Sequence, residues 1–170
     1  MARSSTTKLA AAVLLPVLVL LRPAAAAAAV SAHLRVHMHD VTGGASPTSE
    51  RLLNGPTAGS SFGNTQVIDD ALTDAASSAE VGRAQGFYMV ASTAGLEFLV
   101  TMNVVLTAGP YNGSSLAVLG RDDVAVAVRE LSVVGGTGQF RMARGYVLWR
   151  TITPEILDLE IFVNPPSSSS

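Results

Sequence analysis

Between Val81 and Tyr146 the chain alternates apolar and polar residues almost without a break, and short glycine-bearing segments cut that alternation at regular spacings. Successive side chains of a strand point to opposite faces, so a period of two describes sheet and not helix. In LEFLVTMNVVLT, Leu96, Phe98, Val100, Met102, Val104 and Leu106 fall on one side, with Glu97, Thr101, Asn103 and Thr107 on the other. Gly82 and Gly86 inside VGRAQGFYMVA predict a bulge or a bend. GRDD predicts a turn between strands SSLAVLG and VAVAVRELSVV, and GGTG a second turn before the strand FRMARGYVLWRT.

The flanking sequence extends the pattern. LRVHMHDV opens the domain with Leu34, Val36 and Met38 on one face, and ILDLEIFV closes it with Leu157, Leu159, Ile161 and Val163 on one face. Residues 42–60 are rich in Gly, Ser, Thr and Pro and read as a long loop, and FGNTQVIDD reads as a short strand. About eight short strands at such spacing, with no long helix, specify a sandwich or a barrel. A barrel has no open edges, which suits a chain with no cysteine to staple it.

The N-terminus has the layout of a secretory signal peptide. Arg3 and Lys8 precede the apolar run Leu9 to Leu21, and small residues follow from Ala24, with cleavage expected near Ala29 or Ala32. Pro16 and the shortness of the run argue against a membrane span, which needs ~20 apolar residues. We therefore expect a leader at 1–29, one exported domain at 30–164 and a disordered tail at 165–170. Loss of Arg3, Lys8 and Arg22 leaves 8 arginines, no lysine, 13 acids and a net charge of −5. Such a chain is a poor partner for nucleic acid or an anionic membrane, and a small neutral or apolar ligand, or another protein, is expected instead.

Seven blocks carry a more specific signal: HMHDV, VIDDALT, VGRAQGFY, YNGSS, LGRDD, RELSVVGGTGQFRMARGY and the closing hydrophobic strand. In that order, from about His33 to Val163, the chain resembles the plant dirigent family. The resemblance implies an all-β fold, an eight-stranded antiparallel β-barrel of the dirigent and allene-oxide-cyclase-like kind. It also implies a homo-oligomer, commonly a trimer, working in the apoplast or cell wall. Such proteins bind phenolic radicals made by an external laccase or peroxidase from a monolignol such as coniferyl alcohol, and they decide which faces join in lignan biosynthesis. They carry no redox cofactor.

The resemblance places Asp40, Asp122 and Arg129 as catalytic residues of a pocket and Tyr88 as a substrate-binding aromatic. Asp40 continues the apolar parity of Leu34, Val36 and Met38. In an apolar barrel its carboxyl would hold a proton to higher pH and exchange it with a phenolic guest; the plainer reading is an Asp capping the following loop. Asp122 and Arg129, seven apart, share a cavity only if Asp122 lies in the turn or on the preceding strand. Otherwise either Asp122 or Asp123 serves the turn, and Arg129 is structural beside Glu130. Tyr88 sits in FYMV, where pinoresinol-forming relatives resemble FYFY, so Val90 replaces a second tyrosine.

Asn112 in NGS is the only N-x-S/T sequon, a glycosylation candidate that also suits an Asn-Gly turn. His33, His37 and His39 alternate on one strand without a third ligand type nearby, so no metal is expected and an outer barrel face is. Arg144 shares parity with Phe140, Met142 and Tyr146 and is expected to pair with an acid. The sequence thus points first to stereoselective radical coupling. A quinone-methide cyclase or lyase and a non-catalytic phenolic-binding module of cell wall or defence stand as alternatives.

Overall fold

A computed structural model describes residues 31–164. The expected leader and tail lie outside the described residues. The strands are β1 (Ala32–His39), β2 (Ser49–Leu53), β3 (Thr65–Asp74), β4 (Glu80–Val90), β5 (Glu97–Leu106), β6 (Ser115–Asp123), β7 (Arg129–Thr137), β8 (Arg144–Thr153) and β9 (Ile156–Asn164). Each strand from β3 onward pairs antiparallel with the next, and β9 pairs with β1. β1 then pairs with β3, which closes an eight-stranded antiparallel barrel. The expected fold class is the observed one.

Closure divides β3 in two. Ala71–Asp74 pair with β1, while Thr65–Ile68 pair with the short β2. β2 corrects the sequence reading, which left 42–60 as loop. Of SERLL only Ser49 is buried, so β2 has no apolar face to announce it. It forms because the first half of β3 would otherwise present an unpaired edge.

Period-two burial delivers a continuous interior. Leu72, Val104, Leu116, Val147, Leu159 and Ile161 are fully enclosed. At one end Phe140 plugs the barrel and packs on Tyr111, ring centroids 4.9 Å apart. The predicted irregularity in β4 is present: the β3–β4 register shifts between Leu72 and Thr73, beside Gly82. Gly86 marks a close approach, since a Cβ there would meet Thr101 O at 2.2 Å and Met102 Cα at 2.6 Å.

Two turns differ from expectation. GRDD lies within β6, and the reversal is Val124–Val128. Alternating valines mimic a strand, but Asp123 closes the turn instead. Its carbonyl accepts from the Val126 N–H at 3.0 Å and its Oδ1 from the Ala125 N–H at 3.1 Å. After GGTG the chain makes a short 3₁₀ turn, Gly138–Phe140, and strand structure resumes only at Arg144. Met142 takes a left-handed φ of 62°, which breaks the parity linking Phe140 to Arg144. Phe140 is therefore buried and Arg144 exposed, its guanidinium donating to the carbonyls of Val134 and Ala143 and, among the described residues, to no acid.

Candidate functional site

The end of the barrel opposite Phe140 is ringed by the β1–β2 loop and by the β4–β5, β6–β7 and β8–β9 turns. Inward side chains stop short of filling this end and leave a cavity of about 600 Å³. That lies within the range that holds drug-sized ligands, ~300–1,000 Å³. Met38, Ile68, Val100 and Leu157 supply apolar wall, and Tyr88, Phe98 and Trp149 supply aromatic wall. Asp40, Asp122 and Arg129 line the same space, so the four pocket residues named from sequence converge on one cavity.

Asp122 and Arg129 come together because β6 ends, reverses through Val124–Val128, and returns as β7. Both are buried, at 7% and 6% exposure, and Arg129 Nε donates to Asp122 Oδ1 at 2.7 Å. Arg129 Nη2 donates to Thr151 Oγ1 at 3.0 Å. A buried charge must be paired and hydrogen-bonded to persist, and this pair is. Asp123 is the turn aspartate and Asp122 the inward one.

Asp40 follows β1, held by its N–H donating to Glu155 O at 3.0 Å. Its Oδ1 is buried with no hydrogen-bond partner among the described residues. Burial pushes the Asp40 carboxyl above the ordinary carboxylate range, partly offset by the nearby Ser49 and Tyr88 hydroxyls. The Tyr88 hydroxyl accepts from Gln66 Nε2 at 2.9 Å and lies 3.2 Å from Ser49 Oγ. Its ring meets Phe98 edge-on, centroids 5.2 Å apart. Burial pushes the Tyr88 phenol upward, so it is a neutral donor at physiological pH. Val90 is buried behind it, in a small recess shared with Phe98 and Leu96.

Sequence reasoning did not name Trp149 or Asp70. Trp149 follows Val147 on the inward parity of β8, and its Nε1 is buried without a partner among the described residues. Asp70 is wholly buried between Ile68 and Leu72 on β3, an acid on an apolar face, which is the signal that singled out Asp40. The histidines lie away from the cavity, on the outer face. His33 Nε2 is 3.1 Å from Glu160 Oε1, His39 Nε2 is 2.9 Å from Thr73 Oγ1, and His37 Nε2 is 3.9 Å from Asp158 Oδ1. Asn112 is exposed in the β5–β6 turn.

The sequence model for the family described as Dirigent-like protein matches residues 31–164, the whole described barrel. This chain is a member of the dirigent family. It is similar to Dirigent protein 21 of Arabidopsis thaliana, with 45% identity over 71% of this chain and 66% of the relative. It is likewise similar to Dirigent protein 1 of Arabidopsis thaliana, with 42% identity over 78% of this chain and 75% of the relative. The chain thus spans about two thirds to three quarters of these relatives' lengths. Among solved structures it resembles a pterocarpan synthase dirigent protein, with a TM-score of 0.74 and 30% identity, over 79% of this chain and 95% of the other. The dirigent match covers the cavity walls as well as the plug, since every cavity-lining residue and Phe140 fall inside the matched span.

Proposed function

We propose that this dirigent protein receives a phenolic guest in the barrel cavity and dictates the stereochemistry of the bond it forms. The preferred reaction is coupling of phenoxy radicals derived from a monolignol such as coniferyl alcohol. The observation that carries this reading is the asymmetry among the cavity's ionisable groups. Asp122 and Arg129 satisfy one another, whereas Asp40 keeps a buried oxygen without a partner among the described residues.

A separate oxidase, a laccase or peroxidase, removes one electron and one proton from each phenol. The two radicals then join through a new C–C bond, so the barrel supplies no electrons. Tyr88, Phe98 and Trp149 hold the rings, and holding two reactants in one geometry is worth up to ~7–11 kcal/mol of barrier. The coupled product is a quinone methide. A hydroxyl of the guest adds to it, and Asp40 carries the proton from that hydroxyl to the quinone-methide oxygen, leaving the carboxyl as it began. Arg129, fixed by Asp122 and Thr151, orients oxygen atoms of the guest.

Mature protein incubated with coniferyl alcohol and a one-electron oxidant should give an optically active lignan on a chiral column. A racemic product at saturating protein overturns this reading for that substrate. A second reading, ring closure of a closed-shell quinone methide, is favoured by the likeness to the pterocarpan synthase dirigent protein. It requires turnover with no oxidant present. Tight phenolic binding with neither outcome would mark a non-catalytic module.

The same proposal includes export to the apoplast, a glycan on Asn112 and assembly as a homotrimer. An outer apolar band of Val67, Phe87, Leu99 and Leu119, contiguous across β3 to β6, supports assembly. Light scattering on the purified protein measures the copy number.

A further inference from the structure

A second acid stands beside Asp40, and the chemistry proposed above makes no use of it. The ladder that pairs Met38 with Leu72 and His39 with Ala71 brings Asp40 opposite Asp70. Asp70 is 0% exposed, and its Oδ2, like Oδ1 of Asp40, is buried with no hydrogen-bond partner among the described residues.

The other oxygen of Asp70 lies 2.6 Å from Thr48 Oγ1. That hydroxyl is also 3.2 Å from the His39 carbonyl and accepts from the Val41 N–H at 3.0 Å. A threonine hydroxyl has one proton to give. If Asp70 is ionised, Thr48 must choose between the carboxylate and the carbonyl. If Asp70 keeps its proton, Asp70 donates to Thr48 and Thr48 donates to His39, so every contact in the chain is used.

The electrostatics agree with that geometry. Burial pushes the Asp70 carboxyl up to about 7, with the Thr48 contact opposing and the Asp40 charge adding to the rise. Arg83 and Asp69, on the outer side of the same wall, act in opposite senses, Arg83 lowering it and Asp69 raising it. From β4 the neutral phenol of Tyr88 faces the pair, and Arg51 of β2 lies beyond Tyr88. The cavity's own cation, Arg129, is bound to Asp122.

We propose that Asp70 is a positioning residue: it stays a neutral carboxylic acid anchored to Thr48, and thereby leaves Asp40 as the ionised partner facing the guest. The two act as a coupled pair that retains one proton. Asp40 therefore begins the cycle as the proton acceptor, taking the hydroxyl proton of the guest before returning it to the quinone-methide oxygen. This order rests on the role given to Asp40 above, but the coupling itself does not.

The test needs no guest. Carboxyl ¹³C resonances of aspartate-labelled protein are followed against pH. Asp70 should titrate near neutrality, and the Asp40 resonance should show a second inflection that tracks it. Asp40→Asn removes the neighbouring charge and should lower the Asp70 midpoint by about one pH unit, the scale at which two sites count as coupled. Asp40→Glu should restore it, a rescue that mere packing would not give. Asp70→Asn should abolish the second inflection of Asp40. If it fails to fold, the two Asp40 variants decide alone. An Asp70 midpoint at ordinary carboxylate values, or one unmoved by Asp40→Asn, overturns the proposal. Coupled titrations alongside a racemic product would leave the pair standing and remove the steering function; the converse result would do the reverse.

Discussion

Arg129 Nε donates to Asp122 Oδ1 at 2.7 Å across the Val124–Val128 turn, although seven residues separate them in the chain. The pair makes one wall of the cavity electrically quiet while keeping a guanidinium in it. Removing one member strands the other in a buried site.

Arg129→Leu should therefore destabilise the barrel by about 3–5 kcal/mol, the usual cost of an orphaned buried charge. The double variant Arg129→Leu, Asp122→Leu should recover much of that loss. A urea denaturation cycle over wild type, both single variants and the double variant measures the coupling. Equal losses in the single and double variants would show that packing, and not charge, dominates.

Asp40→Asn should leave the fold intact, since the carboxyl already stands partly unsatisfied. Its effect should fall on chemistry, where a positioned acid or base typically contributes ~10²–10⁴-fold. The rate of the ring-closing step, followed by chromatography of quenched samples, is the readout. Binding of the phenol should change far less.

Asp70 predicts a pH dependence of stability. Its folded carboxyl is raised from 3.8 to about 7, so the folded state holds a proton that the unfolded chain releases in that interval. The contribution of Asp70 is thus fully present below pH 3.8, declines as pH rises toward about 7, and levels off above. Asp70→Asn should flatten this slope and gain on the order of 2–4 kcal/mol at pH 8 relative to pH 4. Thermal melts across that range give the comparison.

Asp158 predicts the opposite slope. On the outer face it accepts from Arg35 Nε at 2.9 Å and Arg35 Nη2 at 3.0 Å, with Arg150 Nη1 at 3.5 Å. Those bonds hold its carboxyl below the ordinary range. Its contribution is present above the unfolded value of 3.8 and is lost as pH falls through the lower folded value. Asp158→Asn should cost about 1.5–3 kcal/mol at neutral pH, the scale of hydrogen bonds to a charged group, and progressively less as pH falls below 3.8. Denaturant midpoints of both proteins, followed from about pH 7 downward, check it.

The sequence was most legible where burial enforces period two. β5 and β9 read off directly, and so did the inward parity of Asp40. It misled where apolar alternation was not burial: Val124, Val126 and Val128 look like strand but stand half-exposed in a turn closed by Asp123. β2 was invisible because its pairing serves backbone groups of β3 and hides almost no side chain. Asp70 was missed for a different reason. Only the β1–β3 closure shows that it faces Asp40, and closure is a property of the sheet and not of either strand.

Phe140 and its neighbours fill one mouth of the barrel, while the ionisable groups gather at the other among connecting segments. The aromatic plug is thereby kept at the far end from the ionisable groups that line the cavity. Exchange of residues 124–128 or 42–47, which spares Thr48 and its bond to Asp70, should change which guests the proposed cavity accepts at little cost to the fold.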